Sequence, residues 1–90
     1  MINKKDIKIG VIGLGYVGLP LAVEFGSKYE TIGFDIDIER INDLRNGFDK
    51  TLEVTKEEMD SASRLTYTND YKDLKSVNVY VVTVPTPINK

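Results

Sequence analysis

Three glycines pose the first chemical question in this sequence. Gly13-x-Gly15-x-x-Gly18 directly follows a run of small and branched apolar residues, and Asp35 stands 22 residues after Gly13. That spacing suits a strand-to-helix turn that holds a diphosphate. The first glycine permits the tight turn, the second lets backbone approach the phosphates without an intervening Cβ, and the third lets the helix lie close on its strand. Phosphate oxygens would then meet unpaired N–H groups at the positive end of the helix dipole. An acid about 20 residues on is placed to accept hydrogen bonds from ribose hydroxyls, and its charge would repel a 2′-phosphate, which favours NAD over NADP. The glycine spacing alone fits a plain tight turn or another phosphate site equally well. Its position after an apolar run, at the opening of a helix, with Asp35 at the end of the next run, is what makes it a dinucleotide signal.

The rest of the composition narrows the chemistry by exclusion. The 90 residues contain no Cys and no His. Disulfides, thiolate zinc sites and thiol nucleophiles are therefore absent from them, as are the commonest metal ligand and the commonest general base at neutral pH. No catalytic residue and no metal site is assigned, and the chain reads as something less than a complete enzyme. With 12 Lys+Arg against 14 Asp+Glu, a net charge of −2 and no basic cluster, nucleic acid is not an expected partner. The opening residues, Met-Ile-Asn-Lys-Lys-Asp, lack the apolar stretch of a signal peptide or membrane span, so a cytoplasmic location without membrane association is expected.

The elements that must position these residues follow from hydrophobic pattern. Ile7 to Ile12 reads as a buried strand and the segment after the glycines as a helix to about Lys28, with Pro20 in its opening turn. Thr31 to Phe34 is a second strand ending at Asp35. A second helix from Ile38 to Asn46 is capped by Asp37, carries Ile38, Ile41 and Leu44 on one face and stops at Gly47. Thr55-Lys-Glu-Glu58 has the capping-box pattern for a short helix to about Ser63. A strand at 65 to 68, a helical turn from Asp70 to Lys75 and an apolar run from Val77 to Val84 complete the chain. The last run predicts a strand covered on both faces and belonging to the core, ended by Pro85 and Pro87. The alternation indicates an α/β chain with a parallel sheet. As a Rossmann-type dinucleotide-binding fold, its four strands would take the order 3-2-1-4, bringing the last strand beside the first. Thr83 and Thr86 would then face the glycine turn across the cofactor, although ordinary loop chemistry explains two Thr and two Pro as well. Tyr16 could cover a pyrophosphate or merely pack. By spacing, Arg40 is a solvated helix residue that could pair with a carboxylate such as Asp43.

The longer segments resemble a family. Gly13-Leu-Gly15-Tyr-Val-Gly18-Leu-Pro-Leu, Gly33-Phe-Asp35-Ile-Asp37 with Arg40, Tyr67-Thr-Asn-Asp70 and Val82-Thr-Val-Pro-Thr86-Pro87 are similar to the N-terminus of nucleotide-sugar 6-dehydrogenases. The branch most resembled acts on UDP-N-acetylhexosamines for capsule, O-antigen or Vi-type polysaccharide. The resemblance implies an NAD-dependent, two-step oxidation of a sugar C6 alcohol to a carboxylate. It also implies that residues 1–90 are the N-terminal part of a cofactor domain, with the catalytic Cys and the UDP-sugar site on segments further along the family's chain. It places Gly13, Gly15, Tyr16, Val17 and Gly18 at the cofactor turn, Asp35 and Arg40 at the adenosine ribose, and Thr83, Val84, Pro85 and Thr86 in a cofactor-lining loop. Two other readings stand beside it. One is a separate nucleotide-binding or regulatory module using the same turn without redox chemistry; the other is a hydroxyacid dehydrogenase, which would not be expected to carry Val-Pro-Thr-Pro. An apolar last strand with an open edge predicts self-association.

Overall fold

The computed structural model describes residues 6–83. β1 (Lys8–Ile12) and β2 (Glu30–Phe34) frame α1 (Gly18–Gly26); α2 (Ile38–Arg45) and α3 (Lys56–Ser61) then lead to β3 (Leu65–Thr68). A 3₁₀ turn, Tyr71–Leu74, precedes β4 (Val79–Val82). All pairings are parallel and the strand order is β3-β2-β1-β4, as the sequence predicts. The register sets Ile9 and Val11 of β1 beside Thr31 and Gly33 of β2, and these in turn beside Leu65 and Tyr67 of β3.

Side chains alternate across a strand, so Ile9 and Val11 share one face. They meet Leu19, Ala22 and Val23 of α1, Ile41 and Leu44 of α2, and Met59 of α3 in one apolar cluster. The opposite face is thinly covered: Ile32 and Phe34 are only half-buried there.

Local signals account for most boundaries. The carboxylate of Asp37 accepts hydrogen bonds from the N–H groups of Glu39 and Arg40, capping α2, and Gly47 follows with φ +80°. Ile41 and Leu44 are buried, whereas Ile38 in the first turn remains 44% exposed. Thr55 and Glu58 form the reciprocal capping box of α3. That helix ends two residues short of the sequence expectation, as does α1, where the N–H of Tyr29 already turns back to the carbonyl of Phe25 at 2.7 Å. Pro20 sits at the third position of α1, within the first turn, where proline is tolerated.

The last strand differs from expectation. β4 begins at Val79, not Val77, and Val79, Tyr80 and Val82 are 42%, 55% and 66% exposed. Coverage on both faces is not what the structure shows. β4 pairs with β1 on one side only, and among the described residues no strand lies along its outer edge, while Val81 packs partly against the core. Among the described residues of this run, Val77, in the turn before the strand, is the one that is buried. The C-terminal end of that run, Val84, lies outside the described residues.

Candidate nucleotide-binding site

The glycine turn lies at the C-terminal ends of the two central strands. Gly13 continues the β1–β2 ladder by donating its N–H to the Phe34 carbonyl at 2.8 Å and then turns with φ +94°. A Cβ there would stand 2.1 Å from the Thr83 carbonyl oxygen, and one on Gly18 would stand 1.6 Å from the Gly13 carbonyl oxygen. Those two glycines are demanded by the protein's own backbone. Gly15 is not: a Cβ at that position would meet nothing within 4 Å. The exposed backbone at Gly15, Tyr16 and Val17 offers N–H groups that make no hydrogen bond among the described residues. Tyr16 itself is 70% exposed and Val17 62%, so neither packs into the core. Open space over a bare stretch of N–H donors at the start of α1 fits a diphosphate.

Side chains from three elements fix this turn. Asp35, at the end of β2, is directed at the loop: one carboxylate oxygen accepts from the Leu14 N–H at 3.0 Å and the other from the Asp37 N–H at 3.0 Å. A carboxylate has about four acceptor sites, so capacity remains for a ribose hydroxyl. The hydroxyl of Thr83 donates toward the Gly13 carbonyl at 2.7 Å, with the Ile12 carbonyl at 3.1 Å also in reach. Thr83 thus crosses from β4 to the turn, as the 3-2-1-4 order requires, but meets it directly instead of facing it across the cofactor as the sequence predicts. The Leu14 side chain, fully buried, anchors the loop from beneath. Val84, Pro85 and Thr86 lie outside the described residues.

Arg40 occupies a position that spacing does not suggest. It is 6% exposed, not solvated, and its partner is Asp49, not Asp43. Its Nε and Nη2 donate to the Leu14 carbonyl at 2.9 and 2.6 Å, and its Nη1 to Asp49 at 2.8 Å. Asp49 also accepts from the Thr51 hydroxyl and from the N–H groups of Thr51, Glu53 and Val54. Burial pushes the Asp49 carboxyl upward, but the hydrogen bonds from Thr51, Arg40 and Val54 outweigh it and hold the group far below the usual carboxylate range. Nearby, burial pushes the Tyr67 phenol up to about 12, with Arg40 opposing and Asp49 adding to the rise. Sequence reading misses Asp49. Its only local sign is Thr two residues on, which suits an Asx-type turn, and nothing in the spacing ties it to Arg40.

A cleft of about 450 Å³ lined by Tyr71, Lys72, Leu74, Lys75 and Tyr80 opens beside β4; it shares no residue with the glycine turn. Donors and an acid converge at the turn and not at this cleft.

A parallel 3-2-1-4 sheet with a glycine turn opening the first helix and an acid closing the second strand defines a Rossmann-type dinucleotide-binding fold. The chain belongs to the UDP-glucose/GDP-mannose dehydrogenase family: residues 7–90 match its NAD-binding domain. It is 57% identical over 86 residues to the UDP-N-acetyl-D-glucosamine 6-dehydrogenase of Pseudomonas aeruginosa, covering 96% of this chain and 20% of that protein. It is 51% identical over 89 residues to the enzyme of the same name from Salmonella typhi, covering 99% of this chain and 21% of the other. Among solved structures, the UDP-D-ManNAc dehydrogenase of Pyrococcus horikoshii superposes with a TM-score of 0.75 at 35% identity, over 92% of this chain and 21% of that one. The chain therefore spans about 20% of the length of the curated relatives it matches.

Proposed function

We propose that this chain is the N-terminal part of the NAD-binding domain of a dehydrogenase that oxidises the C6 alcohol of a UDP-N-acetylhexosamine to a uronate for surface polysaccharide. The names of the two relatives that share more than half of its residues support that substrate class. When bound, NAD supplies the hydride acceptor. The residues of this chain bind and orient it and hold no catalytic group. Gly13 and Gly18 shape the turn, and the N–H groups of Gly15, Tyr16 and Val17 take the diphosphate. Asp35 takes the adenosine ribose, and its charge disfavours a 2′-phosphate. Arg40 and Thr83 hold the turn, and Thr83 opens the cofactor-lining segment that continues through Val84, Pro85 and Thr86.

One observation carries this reading: the open space at Gly15, beside an acid whose carboxylate already grips the same loop. Binding by these 90 residues is expected to be weak and adenosine-centred. Calorimetric titration should give comparable affinities for NAD and ADP, and a much tighter response to NAD would contradict the proposal. Assay of a longer reading frame against UDP-N-acetylglucosamine, UDP-N-acetylgalactosamine and UDP-glucose would test the substrate. No helix among the described residues is long and apolar enough to cross a membrane. A cytoplasmic setting, where nucleotide sugars and NAD are at hand, suits the proposed reaction. Self-association through the open edge of β4 belongs to the same proposal.

A further inference from the structure

We infer that Asp49, which lies outside the glycine motif, is a positioning residue for diphosphate binding: acting through Arg40, it fixes the direction of the Gly15 N–H. The inference rests on the reading of the glycine turn as a diphosphate site. In a trans peptide the C=O of one residue and the N–H of the next lie in one plane and point in opposite directions. Arg40 draws the Leu14 carbonyl toward itself with two donors at 2.9 and 2.6 Å. The N–H of Gly15 is therefore turned away from the guanidinium, on an exposed residue whose missing Cβ leaves open space. The preceding peptide is set by the same rule: its N–H, from Leu14, goes to Asp35, and its C=O, from Gly13, receives the Thr83 hydroxyl. Of the four polar atoms in these two consecutive peptides, the Gly15 N–H alone lacks a partner among the described residues.

Arg40 can hold the carbonyl only if it is itself held. Its Nη1 is 2.8 Å from Asp49, and the two side chains are 7% and 0% exposed. Asp49 is fixed in turn by three backbone N–H groups and one hydroxyl of its own connector. The planar guanidinium spans Asp49 and the Leu14 carbonyl together, a geometry that a single ammonium does not reproduce. Arg40 thus influences the nucleotide through the backbone of the turn, and Asp49 sets Arg40.

The test compares ADP with adenosine, which lacks the diphosphate, by NMR titration of the ¹⁵N-labelled chain, as wild type, Asp49→Asn and Arg40→Lys. In the wild type, ADP should bind more tightly than adenosine and move the Gly15 amide signal, which adenosine should leave in place. In both variants ADP affinity should fall by about tenfold, the scale of one charge-assisted hydrogen bond. Adenosine affinity should hold, and the Gly15 signal should be displaced even without nucleotide. Folded variants with an unchanged ADP-to-adenosine ratio would overturn the inference, as would equal losses for both ligands, which would make Arg40 a direct ribose contact. Should Asp49→Asn not fold, Arg40→Lys, which keeps a cation opposite Asp49, decides alone. A wild type that binds ADP no better than adenosine would defeat the diphosphate reading itself, and this inference with it. A wild type that discriminates while the variants match it would defeat the inference alone.

Discussion

The three glycines of the motif are not equivalent. Gly15→Ala places a methyl group in open space, so it should change unfolding free energy by less than about 1 kcal/mol while weakening ADP binding about tenfold or more. Gly13→Ala and Gly18→Ala would drive a Cβ to 2.1 and 1.6 Å from backbone oxygens. Each should cost more than about 4 kcal/mol, a large share of the stability of a small domain, and denaturant melts of the three variants would show the split. Asp35 illustrates a different economy of contacts, because both its oxygens already accept from backbone N–H groups. Asp35→Asn has only one acceptor oxygen and so must release one of them, and it also loses the charge that repels a 2′-phosphate. Titration with NAD and NADP should show the preference for NAD narrowing, chiefly through loss of NAD affinity.

Among the elements, the connector between α2 and α3 carries more than its irregular sequence suggests. Asp49 stabilises the fold fully above about pH 4, the ordinary range of an unfolded carboxyl, because its folded carboxyl titrates far lower. That contribution should be lost progressively as pH falls below about 4 and down through the much lower range of the folded carboxyl. Asp49→Asn, which leaves Arg40 buried without its counter-charge, should lose about 3 kcal/mol at neutral pH and show a flatter acid limb in urea melts. Asp37→Ala, which removes the cap that starts the helix bearing Arg40, should lose about 1 kcal/mol. Caps and strands were legible in the sequence because each depends on residues close in the chain or on the apolar period, whereas the strand order followed from the dinucleotide-binding fold that the glycine turn and Asp35 signalled. Asp37, the Thr55–Glu58 box and the β1 run are examples. The Arg40–Asp49 pair was not, because it joins a helix to an aperiodic loop across nine residues and shows no repeat. The exposure of β4 was hidden for a related reason: an apolar run reports which surface ought to be buried, not whether anything lies over it.

At the scale of the whole molecule, the sheet ends on one side in a strand whose Val79, Tyr80 and Val82 meet solvent. Its outer edge, unpaired among the described residues, should recruit another copy. Sedimentation velocity at tens of micromolar should show association that Val82→Lys reduces, and a clean wild-type monomer would exclude it. The same strand also closes the glycine turn, since the Thr83 hydroxyl meets the Gly13 carbonyl across 70 positions of sequence. During synthesis the turn emerges from the ribosome long before its final restraint. Competence for the nucleotide should therefore arrive late and abruptly, when β4 docks, and a nascent chain stalled short of that strand would carry every glycine and still leave the loop unlatched.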